Sequence, residues 1–348
     1  MQRRYLFLIC AIAFVITGCG EAKLAPFRRD FRYVLSKPQW SSASLAGMDS
    51  ADISDVFILD TTVVAMQSGM ARLIGMDPSS GTVRWRAGRH GVGPAEFLTP
   101  NQLVIIPPDR FGVIDNRAAR MPIFNVRGEY VTSVSGELFK HEVNGVCPSQ
   151  NEEYLAVQIL SGGIVRASRV GDIMRQSRVQ WPDPKLDSAP QLSQTDFARV
   201  HERGARCLLH TMRGQFFSEV DGTSLKLDRI QTYAEPIRLP IIVLKNGRTN
   251  LVGDQTTGLF AVVNDAKIFV LFGGSTDKAE QQIDVYDQRT GLYIWSIALP
   301  RKMSRFDIQS DRIVAVERNA DASVVVSYLL TKSNVSTNRV PPETANGR

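Results

Sequence analysis

Short bursts of β-branched and aromatic residues recur along most of the chain, separated by polar turns at near-regular intervals. Thr62-Val63-Val64-Ala65, Phe111-Gly112-Val113-Ile114, Tyr154-Leu155-Ala156-Val157, Gln215-Phe216-Phe217 and Lys267-Ile268-Phe269-Val270-Leu271 have the length and composition of strands. Turn signals fall at Pro78-Ser79-Ser80-Gly81, Val126-Arg127-Gly128, Val170-Gly171-Asp172, Val220-Asp221-Gly222 and Gln288-Arg289-Thr290-Gly291. Their glycines are spaced by 47, 43, 51 and 69 residues. The first three intervals suit a four-stranded blade, and the last exceeds one by roughly 20 residues. That excess holds the apolar run Leu239-Pro240-Ile241-Ile242-Val243-Leu244 and reads as a lengthened connection.

The pattern predicts an all-β fold: a six-bladed β-propeller of four-stranded antiparallel blades over residues 31–332. The sixth unit, Arg312-Ile313-Val314-Ala315-Val316, a turn at Asn319-Ala320-Asp321 and residues 323–330, stops one strand short. Phe31-Arg32-Tyr33-Val34-Leu35-Ser36 is expected to supply that strand and close the ring, so that no sheet edge stays open. Seven blades is the alternative, if Ile241 to Leu244 forms an inner strand. One helix is expected from Ser193 to Arg203, where Ser193 and Asp196 have capping-box spacing and Gly204 is a stop.

The sequence Asp-x3-Gly-x3-Trp occurs twice, as Asp77, Gly81, Trp85 and as Asp287, Gly291, Trp295. An acidic residue and a glycine between alternating apolar stretches make a tight turn, and the tryptophan falls in the returning strand. Both rings are expected to pack between stacked units, so the motif counts blades and carries no chemistry.

The first 18 residues have another character. A short basic start, Met1-Gln2-Arg3-Arg4, leads into an apolar run from Tyr5 to Ile16, the form of an export signal. The run is too short to cross a bilayer comfortably. Ile16-Thr17-Gly18-Cys19 resembles the bacterial lipobox. That resemblance implies cleavage before Cys19 and diacylation of its thiol, and Gly20-Glu21 in place of an aspartate favours the outer membrane. Acyl chains at about 0.8 kcal/mol per buried CH2 make a durable anchor. Residues 19–30 then read as a tether and 333–348, rich in Asn, Thr, Pro and Ser, as a disordered tail.

Loss of Arg3 and Arg4 with the signal lowers the formal charge from +6 to +4. Lys and Arg form no run and no basic-aromatic pattern, so nucleic acid is not an expected partner. Of the cysteines that remain besides Cys19, Cys147 and Cys207 either form a disulfide, which an oxidising compartment permits, or stay as buried thiols.

Gly91-Val92-Gly93-Pro94-Ala95-Glu96-Phe97, with Pro100, Asp115-Asn116 and Ile123-Phe124-Asn125, resembles the pattern of six-bladed propellers related to NHL repeats, especially bacterial lipoproteins of that type. The match spans residues 88–135 and is architectural elsewhere. Ala95 replaces the usual third glycine. The Asp-x3-Gly-x3-Trp pair also resembles repeats of quinoprotein-like propellers, including the lipoprotein subunit of the outer-membrane β-barrel assembly machine. Those have eight blades, too many for this chain. The glycine segment is no phosphate loop: it lacks the last glycine of G-x-G-x-x-G and precedes strand signals. It is expected to rim one mouth of the channel, with Arg89, His90 and Glu96 as candidate ligand-facing residues.

His90, His141, His201 and His210 show no metal-ligand spacing, and no nucleophile elbow is present. No catalytic residue, metal or cofactor is expected. The chain reads as an outer-membrane-anchored propeller that binds or scaffolds a protein or glycan. A metal-dependent lyase or hydrolase at the channel mouth and an accessory subunit of an envelope assembly machine are the alternatives.

Overall fold

A computed structural model describes residues 27–44, 53–149, 153–158, 163–178, 195–202, 206–212, 216–235, 241–245, 248–252, 256–274, 279–318 and 322–330. Cys19, Ser193, Gly204, the 319–321 turn and the tail lie outside these residues.

The chain is an all-β propeller of four-stranded antiparallel blades. We number the main sheets in chain order: sheet 1 over residues 53–87, sheet 2 over 100–134, sheet 3 over 143–178, sheet 4 over 195–232, sheet 5 over 256–298 and sheet 6 over 303–329. Sheets 1, 2, 3, 4 and 6 are four-stranded. Sheet 5 has the same antiparallel meander, widened to six strands by a parallel strand at each edge. Each sheet packs its apolar residues against its neighbours, so the cores are shared: Phe57, Leu73, Phe111 and Phe124 join sheets 1 and 2, and Val285, Trp295, Phe306 and Ile313 join sheets 5 and 6.

Four expectations are corrected. Four-stranded blades number five among the described residues, sheets 1, 2, 3, 4 and 6, where six were expected, because sheet 5 is widened by a parallel strand at each edge. Residues 195–202, the described part of the expected helix, are not helical. Thr195–Phe197 is the inner strand of sheet 4, paired with Leu209 to Thr211, and Arg199–Val200 crosses to pair in parallel with Val262 and Val263 of sheet 5. Thr195, Asp196, Phe197, Arg199 and Val200 are all buried, which a surface helix with one polar face cannot provide. The closing strand of sheet 6 is Trp40–Ser41, antiparallel to Val326 and Ser327. Phe31–Val34 instead lies parallel to Ser296, Ile297 and Ala298 at the outer edge of sheet 5. Among the described residues Ile241–Lys245 pairs only with Arg248–Val252, in a separate two-stranded sheet, so it supplies no inner strand of a seventh four-stranded blade.

The repeated motif builds the outer hairpin of its sheet. Asp77 Oδ1 accepts the backbone N–H groups of Ser79 and Ser80, Asp77 O accepts the N–H of Gly81, and Gly81 takes φ +74°. Asp287 repeats this with Thr290 and Gly291, at φ +70°. A third copy is hidden at Asp221, which accepts the N–H groups of Thr223 and Ser224, with Leu225 in the glycine's place at φ +60°. This turn therefore ends at Leu225, three residues beyond the Gly222 of the sequence pattern. Gly128 and Gly171 close tighter turns, bonding back three residues to Asn125 and Ser168.

Candidate functional site at the central channel

The inner strands share one irregularity. In sheets 1, 2, 3, 5 and 6 the ladder slips near the start of the inner strand, between Ile53 and Asp55, Pro100 and Gln102, Val143 and Gly145, Gly258 and Phe260, and Met303 and Arg305. A bulge re-aims a side chain. In sheets 1, 2, 3 and 6 the inserted or following residues include Ser54, Asp55, Asn101, Gln102, Asn144, Ser304 and Arg305. The strands all start where the inter-sheet connections arrive, so these polar groups gather at one mouth of the channel. In sheet 3 the post-bulge residue has to be Gly145, because a Cβ there would sit 1.9 Å from Asp196 Oδ1.

Below the mouth, one side chain closes the channel. Arg199 Nη2 donates to Asp55 Oδ1 at 2.8 Å, Nη1 donates to the carbonyls of Val56 at 2.5 Å and Phe306 at 3.4 Å, and the guanidinium lies over the rings of Phe260 and Phe57. Both charged side chains are almost fully buried, at 2% and 1% exposure. The Asp55 carboxylate also accepts the N–H groups of Val56 and Leu103, so sheets 1, 2, 5 and 6 meet on one ion pair. The cavity beside it, lined by Gln102, Val146, Phe197, Arg199 and Phe260 among others, measures about 10 Å³, room for roughly one water.

Asp196 faces the same space, accepting from Gln102 Nε2 at 3.1 Å and 3.3 Å. Burial pushes its carboxyl up to about 7, against the opposing effect of the Arg305 charge. Burial, and then the same Arg305 charge, lowers His210 to about 3. His201 Nε2 meets Asp307 Oδ1 at 2.7 Å, and Asp307 Oδ2 accepts the N–H of Ile58. Arg305 is half-buried over Phe260 and donates to the neighbouring carbonyl of Ser304.

Two opposing pH dependences follow. A carboxyl whose folded value is raised binds a proton that the unfolded chain has lost, so Asp196 makes stability fall as pH rises from about 4 to 7. A histidine whose folded value is lowered makes stability fall as pH drops from about 6.5 to 3. Each slope is about 1.4 kcal/mol per pH unit, and between about pH 4 and 6.5 they cancel. Urea unfolding at pH 4.5, 5.5 and 6.5 should therefore show rising stability in Asp196→Asn and falling stability in His210→Gln. Slopes of the reverse sign would refute the assignment.

The loop candidates are placed at the same mouth but face different ways. Glu96 turns into its own loop: its carboxylate accepts the Gly93 N–H at 2.7 Å and pairs with Arg89 Nε at 2.6 Å. Those two partners, the Gly93 N–H first, hold its carboxyl below the usual range. Arg120 fastens the loop from below through the carbonyls of Gly93 and Glu96, while Phe97 is buried against Phe124. Arg89 and His90 remain exposed. The loop is thus a rigid clip presenting Arg89, His90 and Val92.

Trp85 stacks beside Phe111 and donates to the carbonyl of Val126, and only Gly75 and Gly128 leave room for its ring. Trp295 is buried between Tyr33 and Phe269. Cys147 and Cys207 are joined, with Cα atoms 5.9 Å apart, and link sheets 3 and 4. Among the described residues, no three or more His, Cys, Asp or Glu converge as a metal site, and no helix is long and apolar enough to cross a membrane. The channel residues were missed in the sequence because they lie on separate strands, far apart along the chain. The available signal was the polar pair after the first residue of an apolar strand, as in Ile53-Ser54-Asp55-Val56, Pro100-Asn101-Gln102-Leu103 and Met303-Ser304-Arg305-Phe306.

These features define a β-propeller with a plugged, polar channel. No family model matches the chain, and no curated protein matches it. Among solved structures it is similar to an exported protein of Bacteroides fragilis, with 11% identity, 88% of this chain and 95% of that one covered, and a TM-score of 0.50. It is also similar to the β-propeller domain of Cps50 (Swd1) from Myceliophteria thermophila, with 8% identity, coverage of 85% and 99%, and a TM-score of 0.51. Streptogramin B lyase is similar at 10% identity, with coverage of 81% and 95% and a TM-score of 0.50. At these identities the likeness is one of fold.

Proposed function

We propose that the chain is a lipid-anchored envelope propeller that holds a protein or glycan partner without chemical turnover. The observation that carries this is the Arg199–Asp55 pair. It fills the channel where a substrate would otherwise be enclosed, and enclosure of most of a ligand's surface is what small-molecule sites provide. Binding is left to the mouth, where the half-buried Gln102, Asn144 and Arg305 lie beside the Arg89 to Phe97 clip. Anchoring through Cys19 rests on the lipobox-like Ile16-Thr17-Gly18-Cys19, and an outer-membrane location on Gly20-Glu21.

The test is retention of periplasmic proteins and glycans by immobilised residues 20–348, with Arg305→Met and Asn144→Ala as comparison variants. A saturable partner is expected on the native protein, weakened at least tenfold in the Arg305→Met, Asn144→Ala double variant, about 1.4 kcal/mol. Retention of nothing, or equal retention by the double variant, would overturn the reading.

A further inference from the structure

The N-terminal segment is fastened to sheet 5 more firmly than ring closure needs. Arg29 makes two hydrogen bonds to Asp284, at 2.8 Å and 2.9 Å, a third to Glu235 at 2.5 Å, and lies over Phe272 with its ring centroid 4.1 Å away. Phe27 packs edge-on against Tyr293, whose hydroxyl accepts the Asp30 N–H. Phe31–Val34 then runs parallel to the outer strand of sheet 5. These contacts fix the point at which the anchored end of the chain leaves the propeller.

From the lipobox-like cysteine to that point there are few residues. Cys19 precedes Phe27 by eight residues, which span less than about 30 Å even when fully extended, whereas a domain of this size is about 50 Å across. The surface around the exit carries exposed apolar residues: Phe31 at 38%, Val34 at 45% and Leu292 at 67% exposure. Arg28 and Arg289 are exposed beside them. Apolar side chains flanked by arginines suit the boundary between lipid headgroups and acyl chains.

We infer that the rim of sheet 5, formed by Phe31–Val34 and the turn ending at Leu292, rests on the bilayer, so that the propeller stands edge-on and its polar mouth stays open to a partner. This rests on the lipidation reading of Cys19. The two can be separated in one experiment on the full lipidated protein in phosphatidylethanolamine and phosphatidylglycerol vesicles. Leu292→Cys and, on the outer strand of sheet 2, Val131→Cys are each labelled with a fluorophore, and nitroxide-headgroup lipid is added. Flotation with the vesicles, loss of fluorescence at position 292 and none at position 131 is the expected result. Equal quenching at both positions, or quenching at 131 alone, overturns the edge-on placement and leaves lipidation standing. Failure to float, identical to that of a Cys19→Ser control, overturns lipidation and the inference with it.

Discussion

Replacing Arg199 with alanine should destabilise the protein by about 3 to 5 kcal/mol, the range for removing one partner of a buried ion pair. The magnitude comes from what is left behind. Asp55 would keep the N–H groups of Val56 and Leu103 but lose the Arg199 guanidinium at 1% exposure, while the carbonyls of Val56 and Phe306 would lose a donor. The vacated space would also remove the cation's contact with Phe57 and Phe260. Arg199→Met with Asp55→Asn should cost clearly less than the sum of the two single substitutions, because it deletes both charges and keeps an acceptor and much of the volume. Urea unfolding of the four proteins at pH 7 gives the coupling directly. A single-variant cost below about 1 kcal/mol would mean that the pair behaves as a solvated surface bridge and does not hold the channel shut.

The contrast with the legible parts of the sequence is a matter of range. An Asp-x3-Gly turn is specified within five residues, since the carboxylate bonds the next N–H groups and glycine takes the positive φ, so Asp77 and Asp287 could be read without the fold. Even there, tertiary packing admitted Leu225 at φ +60°, and that copy was misplaced by its neighbouring Gly222. The helix expected at Ser193 to Arg203 failed for the same reason in reverse. Its capping-box spacing is a local signal, but Asp196 is spent on Gln102 across the channel and Arg199 on Asp55, partners 94 and 144 residues away. Trp40–Ser41 is too short to show a strand's period, so the longer Phe31–Val34 looked like the closing strand. The channel site was illegible because its members are single polar positions on separate strands, brought together only by the bulges they share.

The second large effect concerns the covalent link between sheets 3 and 4. Changing Cys147 and Cys207 to alanine should lower stability by about 4 kcal/mol, from the loop-closure relation applied to the 60-residue separation. Most of that cost arises in the unfolded chain, which gains the freedom of the intervening segment, so the native contacts of Asp196 with Gln102 and Gly145 should survive. Both cysteines are buried, at 2% and 3% exposure, in the cluster with Leu155, Phe197 and Leu209. A reductant should therefore attack the bond mainly through open states, and reduction of the folded protein should be slow without denaturant. The measurement is urea unfolding of the native protein with and without dithiothreitol, beside the alanine double variant. Agreement between the reduced protein and the variant, both well below the oxidised protein, is expected. A difference under about 1 kcal/mol between oxidised and reduced forms would show that the unfolded chain is already constrained between sheets 3 and 4, and that the link adds little to a ring held by its shared cores.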